Sequence, residues 1–186
     1  MIPVLTSLLS DGRVELRLAA ERDIPEVLIA HDRDPRLYSD RGLERPPTGA
    51  QLGRDMEEAE ELRASGTLET LTIVKAGDDT CRGQIYVYDI DWDHDRAAIG
   101  IWLAPDARGQ GLARGALRLL TRWLFEDWGL ERIELTTLPE NRTMISAALA
   151  GGFAHEGVLR SRVRERSRRL DLAILSIVRT DPRPSS

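Results

Sequence analysis

The sequence has little cysteine, little lysine and no long hydrophobic run. Its single cysteine, Cys81, excludes an internal disulfide and is typical of a protein kept in a reducing compartment. No apolar stretch approaches the roughly 20 residues needed to cross a bilayer, so we expect no membrane partner. The first ten residues lack the basic start of a signal peptide. We therefore predict a cytoplasmic protein with an N-terminal arm over residues 1–12.

The charge balance argues against nucleic acid as a partner. The 186 residues include 26 basic and 31 acidic side chains, a net charge of −5. An acidic surface repels a polyanion but suits a cationic ligand such as an amine. A run of six arginines has a spacing of two that would put four of the side chains on one strand face, where they could meet RNA or the phosphate of a small ligand; given the acidic total we expect a solvated hairpin instead. These arginines are Arg160, Arg162, Arg164, Arg166, Arg168 and Arg169.

The most informative stretch is a glycine-rich turn at residues 105–113, with the sequence Pro-Asp-Ala-Arg-Gly-Gln-Gly-Leu-Ala. It follows the apolar run 97–104 and opens an amphipathic segment, so the order is buried strand, turn, helix. That order aims backbone N–H groups and the positive end of a helix dipole at one point, where a diphosphate fits. Gly109 and Gly111 let the backbone approach a ligand, and Arg108 would add a fixed positive charge.

Two common phosphate-binding loops are excluded by the details of this turn. No Lys-Ser or Lys-Thr pair follows the glycines, as a Walker-type P-loop requires. The spacing also differs from Gly-x-Gly-x-x-Gly, the dinucleotide-binding pattern. On these residues alone, a helix start that carries glycines by chance remains the alternative.

Hydrophobic periodicity predicts one α/β (α+β) domain over residues 1–186, without repeats or linkers, and a disordered tail over residues 181–186. Seven segments have the pattern of strands: 14–18, 68–75, 83–90, 97–104, 132–138, 156–163 and 169–178. Helical patterning begins at residues 24, 51, 112 and 141. The order of these elements predicts a mixed sheet with helices on both faces.

Three spaced elements of the second half resemble those of one enzyme family. They are Arg-x-x-Gly-x-Ala at 108–113, Leu-Pro-Glu-Asn at 138–141 and Gly-Phe-x-x-Glu-Gly at 152–157. The first resembles the pyrophosphate loop of the GNAT acetyltransferases. The whole run from 99 to 160 is most similar to the RimJ/RimL-type ribosomal-protein N-acetyltransferases. The resemblance implies a GNAT fold with a mostly antiparallel, seven-stranded sheet, and acetyl-CoA as cosubstrate without a metal ion.

The resemblance also implies which residues contact the cofactor. Trp102, Leu103 and Ala104 would pair with the pantetheine arm as an added strand, with a backbone N–H facing the thioester carbonyl. Asn141 would hydrogen-bond the arm, or only cap the helix that follows it. The diphosphate cradle would consist of Arg108, Gly109, Gln110, Gly111, Leu112 and Ala113. If the strand face of four arginines meets a small ligand, that ligand group would be the CoA 3′-phosphate.

The usual catalytic groups of the family do not carry over. Many relatives have Glu-Ile-Gly-Tyr-Trp where this chain has Ala-Ile-Gly-Ile-Trp at 98–102, so that carboxylate and tyrosine are missing. The tyrosine that acts as acid in other branches would fall at Ala148. Two substitutes are candidates: Asp89 as a base acting through a water, and Ser146 as a group near the sulfur. The alternatives without a catalytic role are that Asp89 is only a carboxylate in a turn and that Ser146 is only a small residue on the core face of a helix.

The resemblance implies N-acetyl transfer from acetyl-CoA to a primary amine by direct attack of the neutral amine. The acceptor would be a protein N-terminus or a small amine, bound by segment 31–66, and a homodimer stays open. A catalytically inactive CoA-binding sensor or interaction module is the rival interpretation. Cys81 lacks a nearby histidine and His94 lacks a second ligand, so we expect neither a covalent nucleophile nor a metal site.

Overall fold

The order of strands in the sheet determines where the chain can bind a ligand. The structure, a computed structural model, describes residues 8–39, 44–165 and 167–182. The strands are β1 (Leu9–Ser10), β2 (Val14–Leu18), β3 (Glu69–Lys75), β4 (Gly83–Asp91), β5 (Arg96–Leu103), β6 (Arg132–Thr137), β7 (Ala154–Glu165) and β8 (Arg168–Val178). They form one sheet in the order β1-β2-β3-β4-β5-β6-β8-β7. Only β5 and β6 pair in parallel; the other neighbours are antiparallel.

Helices cover both faces of this sheet, as predicted. They are α1 (Ile24–Arg33), α2 (Arg36–Ser39), α3 (Gly49–Ala64), α4 (Leu112–Glu126) and α5 (Arg142–Ala150), with short 3₁₀ turns at Glu21–Asp23 and Pro105–Ala107. Among the described residues, no helix has both the length and the apolar character to span a bilayer.

The sheet has eight strands where seven were expected. The seven predicted strands are confirmed to within two residues at each end. The additional strand, β1, comes from the predicted arm and pairs with β2 through Leu9 and Leu16. Its turn is local: the Asp11 carboxylate accepts hydrogen bonds from the N–H groups of Arg13 and Val14, at 2.9 and 2.8 Å. The rest of the predicted arm and tail, residues 1–7 and 183–186, lies outside the described part of the chain.

Helix α4 forms the main core with one face of the sheet. Its buried positions recur at helical spacing, and Leu117, Leu120 and Leu124 are fully buried. They belong to one cluster with strand side chains such as Ile85 and Ile99. Each such burial stabilises the fold by about 1.5–3 kcal/mol. This packing fixes the first turn of α4 close to the end of β5.

Strands β5 and β6 separate part-way along their length. Their pairing runs from Arg96 and Arg132 to Ile99 and Leu135, and no further. Strand β5 nevertheless continues to Leu103, paired only with β4 on its other side. The sheet therefore opens into a V-shaped gap whose vertex lies at the last pair. This gap is the structural basis of the site described next.

Candidate active site

A cleft of about 1320 Å³ lies beside the gap between β5 and β6. We call its three sides the loop wall, the helix wall and the floor. The loop wall consists of lining residues within 101–113 and 138–147, and the helix wall of those within 52–70. The floor consists of Gln84, Tyr86, Tyr88 and Gly100. Segment 31–66, expected to bind the acceptor, thus supplies much of the lining through α3.

The glycine turn leaves the beginning of α4 open to a ligand. Gly109 and Gly111 have φ angles of +72° and +79°, in the left-handed region that favours glycine. A Cβ added to either glycine would meet no atom within 4 Å, so the space above the turn is free. Gly111 is the N-cap of α4, and no side chain caps the helix. The first N–H groups of α4 are therefore available to an anion.

Arg108 is placed differently from the expectation of a fixed charge at the diphosphate. Its guanidinium donates two hydrogen bonds to the carbonyl oxygen of Leu103, at 3.1 and 3.0 Å, and pairs with Asp34 at 2.7 Å. Although burial raises the pKa of Asp34, hydrogen bonds from Arg36 and Arg108 hold it below its usual value. The Arg108 charge is thus balanced by Asp34, and its side chain ties the turn to the end of α1.

Only alternate residues of β5 turn their backbone groups into the gap. The N–H of Ala104 donates to Arg82, and a Cβ on Gly83 would collide with the carbonyl oxygen of Trp102, so these groups face β4. Because strand residues alternate in direction, the N–H and C=O groups of Ile101 and Leu103 face the gap. Of the three predicted edge residues, Leu103 therefore turns its backbone groups into the gap, whereas Trp102 and Ala104 turn theirs to β4. Ile101, which the sequence did not single out, also faces the gap.

Asn141 caps α5 at the edge of the cleft. Its side-chain oxygen accepts a hydrogen bond from the N–H of Met144 at 3.2 Å, and its amide group donates to Thr137 Oγ1 at 3.1 Å. The cap predicted from the sequence is confirmed. Asn141 also lines the cleft and is exposed there, so a contact with the pantetheine arm stays a prediction.

The structure does not bring the two candidate catalytic residues into the cleft. Asp89 is exposed, has a φ of +49° and lies in a β-bulge that follows Tyr88, which turns its carboxylate to solvent. Ser146 is exposed on α5, whereas its neighbours Met144 and Ala147 line the cleft. Helical spacing explains this difference, since consecutive residues point about 100° apart.

Two tyrosines of the floor were missed by the sequence reasoning. Tyr86 and Tyr88 lie on the cleft face of β4 together with Gln84. The Tyr86 hydroxyl donates to Gln84 at 3.1 Å and accepts from the Trp102 indole N–H at 2.7 Å. The signal was present, because polar and aromatic residues at every second position of a strand share a face. Neither tyrosine belongs to one of the three family-like motifs.

Acidic side chains border the helix wall. Asp55, Glu57, Glu58 and Glu60 of α3 line the cleft. At the end of this wall lies Glu69, which is 2% exposed. Its carboxylate accepts one hydrogen bond, from the N–H of Thr70 at 3.0 Å, and forms no salt bridge with any described residue. Burial raises the pKa of Glu69 to about 7.

The side chain of Glu69 lies on the opposite face of β3 from the floor tyrosines. Glu69 pairs with Val87, and Thr70 pairs with Tyr86. Residues that pair directly share a face, so the Glu69 side chain points with Leu71 and Val87 towards the α4 core. Glu69 is therefore a buried structural carboxylate beside the cleft, and the floor itself contains no carboxylate.

The remaining chemically notable side chains lie elsewhere. Burial raises the pKa of the Cys81 thiol to about 12, so the thiol stays protonated. His94 is exposed and its ring contacts Asp91 at 3.0 Å. In residues 8–39, 44–165 and 167–182, no group of three or more His, Cys, Asp or Glu side chains is arranged to hold a metal ion.

The arginine run lies on the hairpin of β7 and β8. A bulge between Leu159 and Val163 interrupts the expected alternation of its side chains. At this bulge Ser161 has a φ of +58°, and its N–H donates to the Asp171 carboxylate at 2.7 Å. Arg160 and Arg162 are exposed, and Arg166 is outside the described residues. The hairpin is therefore not a single continuous strand face of arginines.

Comparisons with known proteins agree with this geometry. Residues 13–154 match the family model described as an acetyltransferase (GNAT) domain. The chain is 27% identical over 162 residues to the uncharacterized N-acetyltransferase p20 of Bacillus licheniformis, covering 87% of this chain and 90% of that protein.

Solved structures of low sequence identity share the fold. The structure of Mycobacterium smegmatis RimJ in complex with CoA-disulfide has a TM-score of 0.80 at 23% identity, covering 96% of this chain and 90% of that one. Spermidine N-acetyltransferase from Vibrio cholerae, in complex with CoA and spermine, has a TM-score of 0.77 at 19% identity, covering 92% and 98%. The family model spans more than half of the chain. Family membership follows from that match, whereas the structural likenesses show the shared fold.

Proposed function

This chain belongs to the GNAT acetyltransferase family, and we propose that its cleft transfers the acetyl group of acetyl-CoA to a primary amine of a positively charged acceptor. One observation supports this assignment most strongly: the gap between β5 and β6 opens beside an uncapped helix start. A cosubstrate that combines a diphosphate with a long amide-bearing arm matches both features at once.

The diphosphate binds, in this proposal, to backbone N–H groups at the beginning of α4. Gly109 and Gly111 leave the space that the phosphates need, and the helix dipole favours their negative charge. Arg108 acts indirectly, because its bond to the Leu103 carbonyl and its ion pair with Asp34 fix the shape of the turn. Leu112 and Ala113 supply the first helical N–H groups.

The pantetheine arm lies along the free edge of β5. Ile101 and Leu103 supply its hydrogen-bonding groups, although the Leu103 carbonyl is already occupied by Arg108. The arm thus runs from the turn towards the vertex of the gap. An unpaired strand N–H near that vertex is suited to the thioester oxygen, where negative charge develops during attack.

The amine attacks the thioester directly. The Cys81 thiol is buried, stays protonated and does not line the cleft, and the described lining of the cleft contains no cysteine, histidine or serine side chain. Attack requires the neutral amine. We therefore expect the rate to rise roughly tenfold per pH unit until the pKa of the amine is reached.

The helix wall favours an acceptor that carries positive charge. Asp55 and Glu60 flank the inward-facing side of α3, and the whole chain is acidic. One structural relative is a spermidine N-acetyltransferase, and another is a RimJ protein. A protein N-terminus and a small polyamine are both acceptors of the kind that this wall would attract.

Thiol release tests this function. The protein is mixed with acetyl-CoA and, in separate reactions, spermidine, a peptide with a free α-amine and the same peptide N-acetylated. We expect release of CoA thiol that depends on a free amine, with an equal amount of acetylated product by mass spectrometry. If acetyl-CoA raises the melting temperature but no amine causes release, the protein is a CoA-binding module and the proposed function is wrong.

A further inference from the structure

One floor residue, Tyr88, reaches the vertex of the gap. Tyr88 on β4 pairs with Ala98 on β5, next to the last residue that β5 pairs with β6. Its ring lies over Gly100, where a Cβ would be 3.5 Å from the ring carbon Cε1. The side chain of Thr136, the first β6 residue beyond the last pair, lies near enough to lower the pKa of the Tyr88 hydroxyl. The phenol therefore lies beside three strands where β5 and β6 separate.

We propose that the Tyr88 hydroxyl is the catalytic proton relay of acetyl transfer, passing a proton from the attacking amine to the departing sulfur. The inference rests on the proposed function and deepens it. The arm of acetyl-CoA enters from the α4 turn and follows Leu103 and Ile101, so its thioester end lies near Gly100. The Tyr88 ring covers Gly100 from the cleft side, which places the hydroxyl beside the reacting atoms.

Small residues make room for this ring. Ala98 lies directly across from Tyr88, and Gly100 lies directly across from Tyr86. Side chains that face each other across antiparallel strands have Cβ atoms about 4.5–5.5 Å apart. A glutamate at position 98 would therefore compete with the Tyr88 ring for the same space. The absence of a carboxylate at position 98 therefore leaves the space that the Tyr88 ring occupies at the vertex.

The surroundings keep the Tyr88 hydroxyl protonated. Burial raises its pKa above the ordinary value of 10, and the carboxylates of Asp89 and Glu134 raise it further. The Thr136 side chain and the Arg162 charge on β7 lower the pKa of Tyr88 only in part. At neutral pH the group is therefore an O–H that can donate one proton while it accepts another.

The relay balances without a carboxylate base. The neutral amine nitrogen forms a bond to the thioester carbon, and the C–S bond breaks with its electron pair going to sulfur. One proton leaves the nitrogen for the Tyr88 oxygen as the phenol proton moves to the sulfur. The products are the acetylated amine, CoA thiol and an unchanged neutral tyrosine. This step is consistent with a floor that contains no carboxylate.

Replacing Tyr88 with phenylalanine tests the relay. In Tyr88→Phe we expect kcat to fall about 100-fold or more, a typical effect of losing a proton-transfer group. The KM values of acetyl-CoA and amine should stay within about threefold, because the ring remains in place. The matched variant is Tyr86→Phe on the same strand face, whose hydroxyl already bonds Trp102 and Gln84. Its kcat should fall by less than about tenfold.

The outcomes separate this inference from the function on which it rests. A wild-type protein that transfers acetyl groups, with a Tyr88→Phe variant of nearly wild-type kcat, would overturn the relay and leave the function intact. Equal losses in Tyr88→Phe and Tyr86→Phe would also overturn it. A wild-type protein without amine-dependent thiol release would overturn both.

A second variant is decisive if Tyr88→Phe folds poorly. Replacement of Tyr88 by 3-fluorotyrosine keeps the hydroxyl group but lowers its pKa. The relay requires the O–H form, so kcat should fall at alkaline pH as the Tyr88 hydroxyl ionises. In this variant that fall should begin at a lower pH. An unchanged alkaline limb would contradict the relay, whereas a purely structural role of the ring predicts no such displacement.

Discussion

The loop wall and the helix wall of the cleft are built in different ways. The loop wall comes from two stretches, 101–113 and 138–147, and the first of them contains the turn whose two left-handed glycines leave backbone N–H groups open. The helix wall offers side chains from α3 and the residues that follow it. A wall made of backbone depends on local sequence and recognises a constant ligand. A wall made of side chains can change its specificity by substitution, so it is suited to the acceptor.

The two walls also differ in how their charges are paired. Asp34 and Arg108 neutralise each other beside the loop wall. The helix wall presents several acidic groups beside one arginine, Arg63, and Glu69 is buried at its end without a salt bridge to any described residue. In the proposed function, backbone geometry holds the cosubstrate and the excess of negative charge on the helix wall attracts the amine. The predictions that follow test this contrast.

The largest effect is expected from Gly111→Val. The added side chain fills the space reserved for the diphosphate and is strained at a φ of +79°. We expect acetyl-CoA affinity to fall more than about 100-fold, or 2.7 kcal/mol, by isothermal titration calorimetry.

Gly129→Val is the matched control for this substitution. Gly129 follows the other end of α4, has a φ of +74° and also has free space around its Cβ position. The two variants should lose similar stability, but only Gly111→Val should lose affinity. If both bind acetyl-CoA alike, the glycine turn is only a helix start.

The next effect concerns stability and pH at the end of the helix wall. The pKa of Glu69 rises from 4.5 to about 7 on folding. Below pH 4.5 the buried carboxyl is neutral and adds no ionisation penalty, and from pH 4.5 to 7 this penalty increasingly destabilises the folded protein. Glu69→Gln should raise the unfolding free energy by about 1–2 kcal/mol at pH 8, within the roughly 3 kcal/mol that this shift represents. Urea unfolding at pH 5 and pH 8 measures it; a gain that is as large at pH 5 would contradict this origin.

Asp34→Asn supplies the opposite case beside the loop wall. The partners of Asp34 lower its pKa in the folded state. Its contribution to the unfolding free energy is therefore fully present above pH 3.8, the ordinary pKa of the group, and is lost only in acid. This variant should destabilise the protein at both pH 5 and pH 8, because it removes the ion pair of Arg108. A stabilising effect would show that the two walls do not differ in charge pairing.

The smallest effect is expected from charge changes on α3. Asp55→Asn and Glu60→Gln should each raise KM for spermidine about two- to fivefold, as expected for exposed charges, and leave KM for acetyl-CoA unchanged. Glu61→Gln is the matched control, since Glu61 is on the same helix but does not line the cleft. The effect should shrink at high ionic strength. Equal effects in all three variants would mean that only net charge matters.

Much of the fold and one wall of the site could be predicted because their signals are local. Strand alternation, the apolar stripe of α4 and the glycines of the turn are each contained in short windows. Edge strand β1 was missed, since two residues carry no measurable periodicity. The Arg108 orientation was also missed, because its partner Asp34 lies far away in sequence.

The floor could not be predicted from motifs, although part of its pattern was readable. Tyr86 and Tyr88 alternate on one strand, but their meaning depends on which strand lies beside them. Only the pairing of Tyr88 with Ala98, and the end of β5–β6 pairing one residue later, place the tyrosine at the vertex. The same pairing register shows that the backbone groups of Ile101, and not those of Trp102 and Ala104, face the gap.

Hydrogen exchange with and without acetyl-CoA tests the central claim most directly, namely that the cosubstrate pairs with the free edge of β5 and the start of α4. Amide protection reports which backbone N–H groups become bonded. At saturating acetyl-CoA we predict slower exchange in peptides that cover residues 101–113, including the N–H groups of Ile101 and Leu103. The β7–β8 hairpin should show no change. Unchanged exchange across 101–113, or protection confined to that hairpin, would contradict the account.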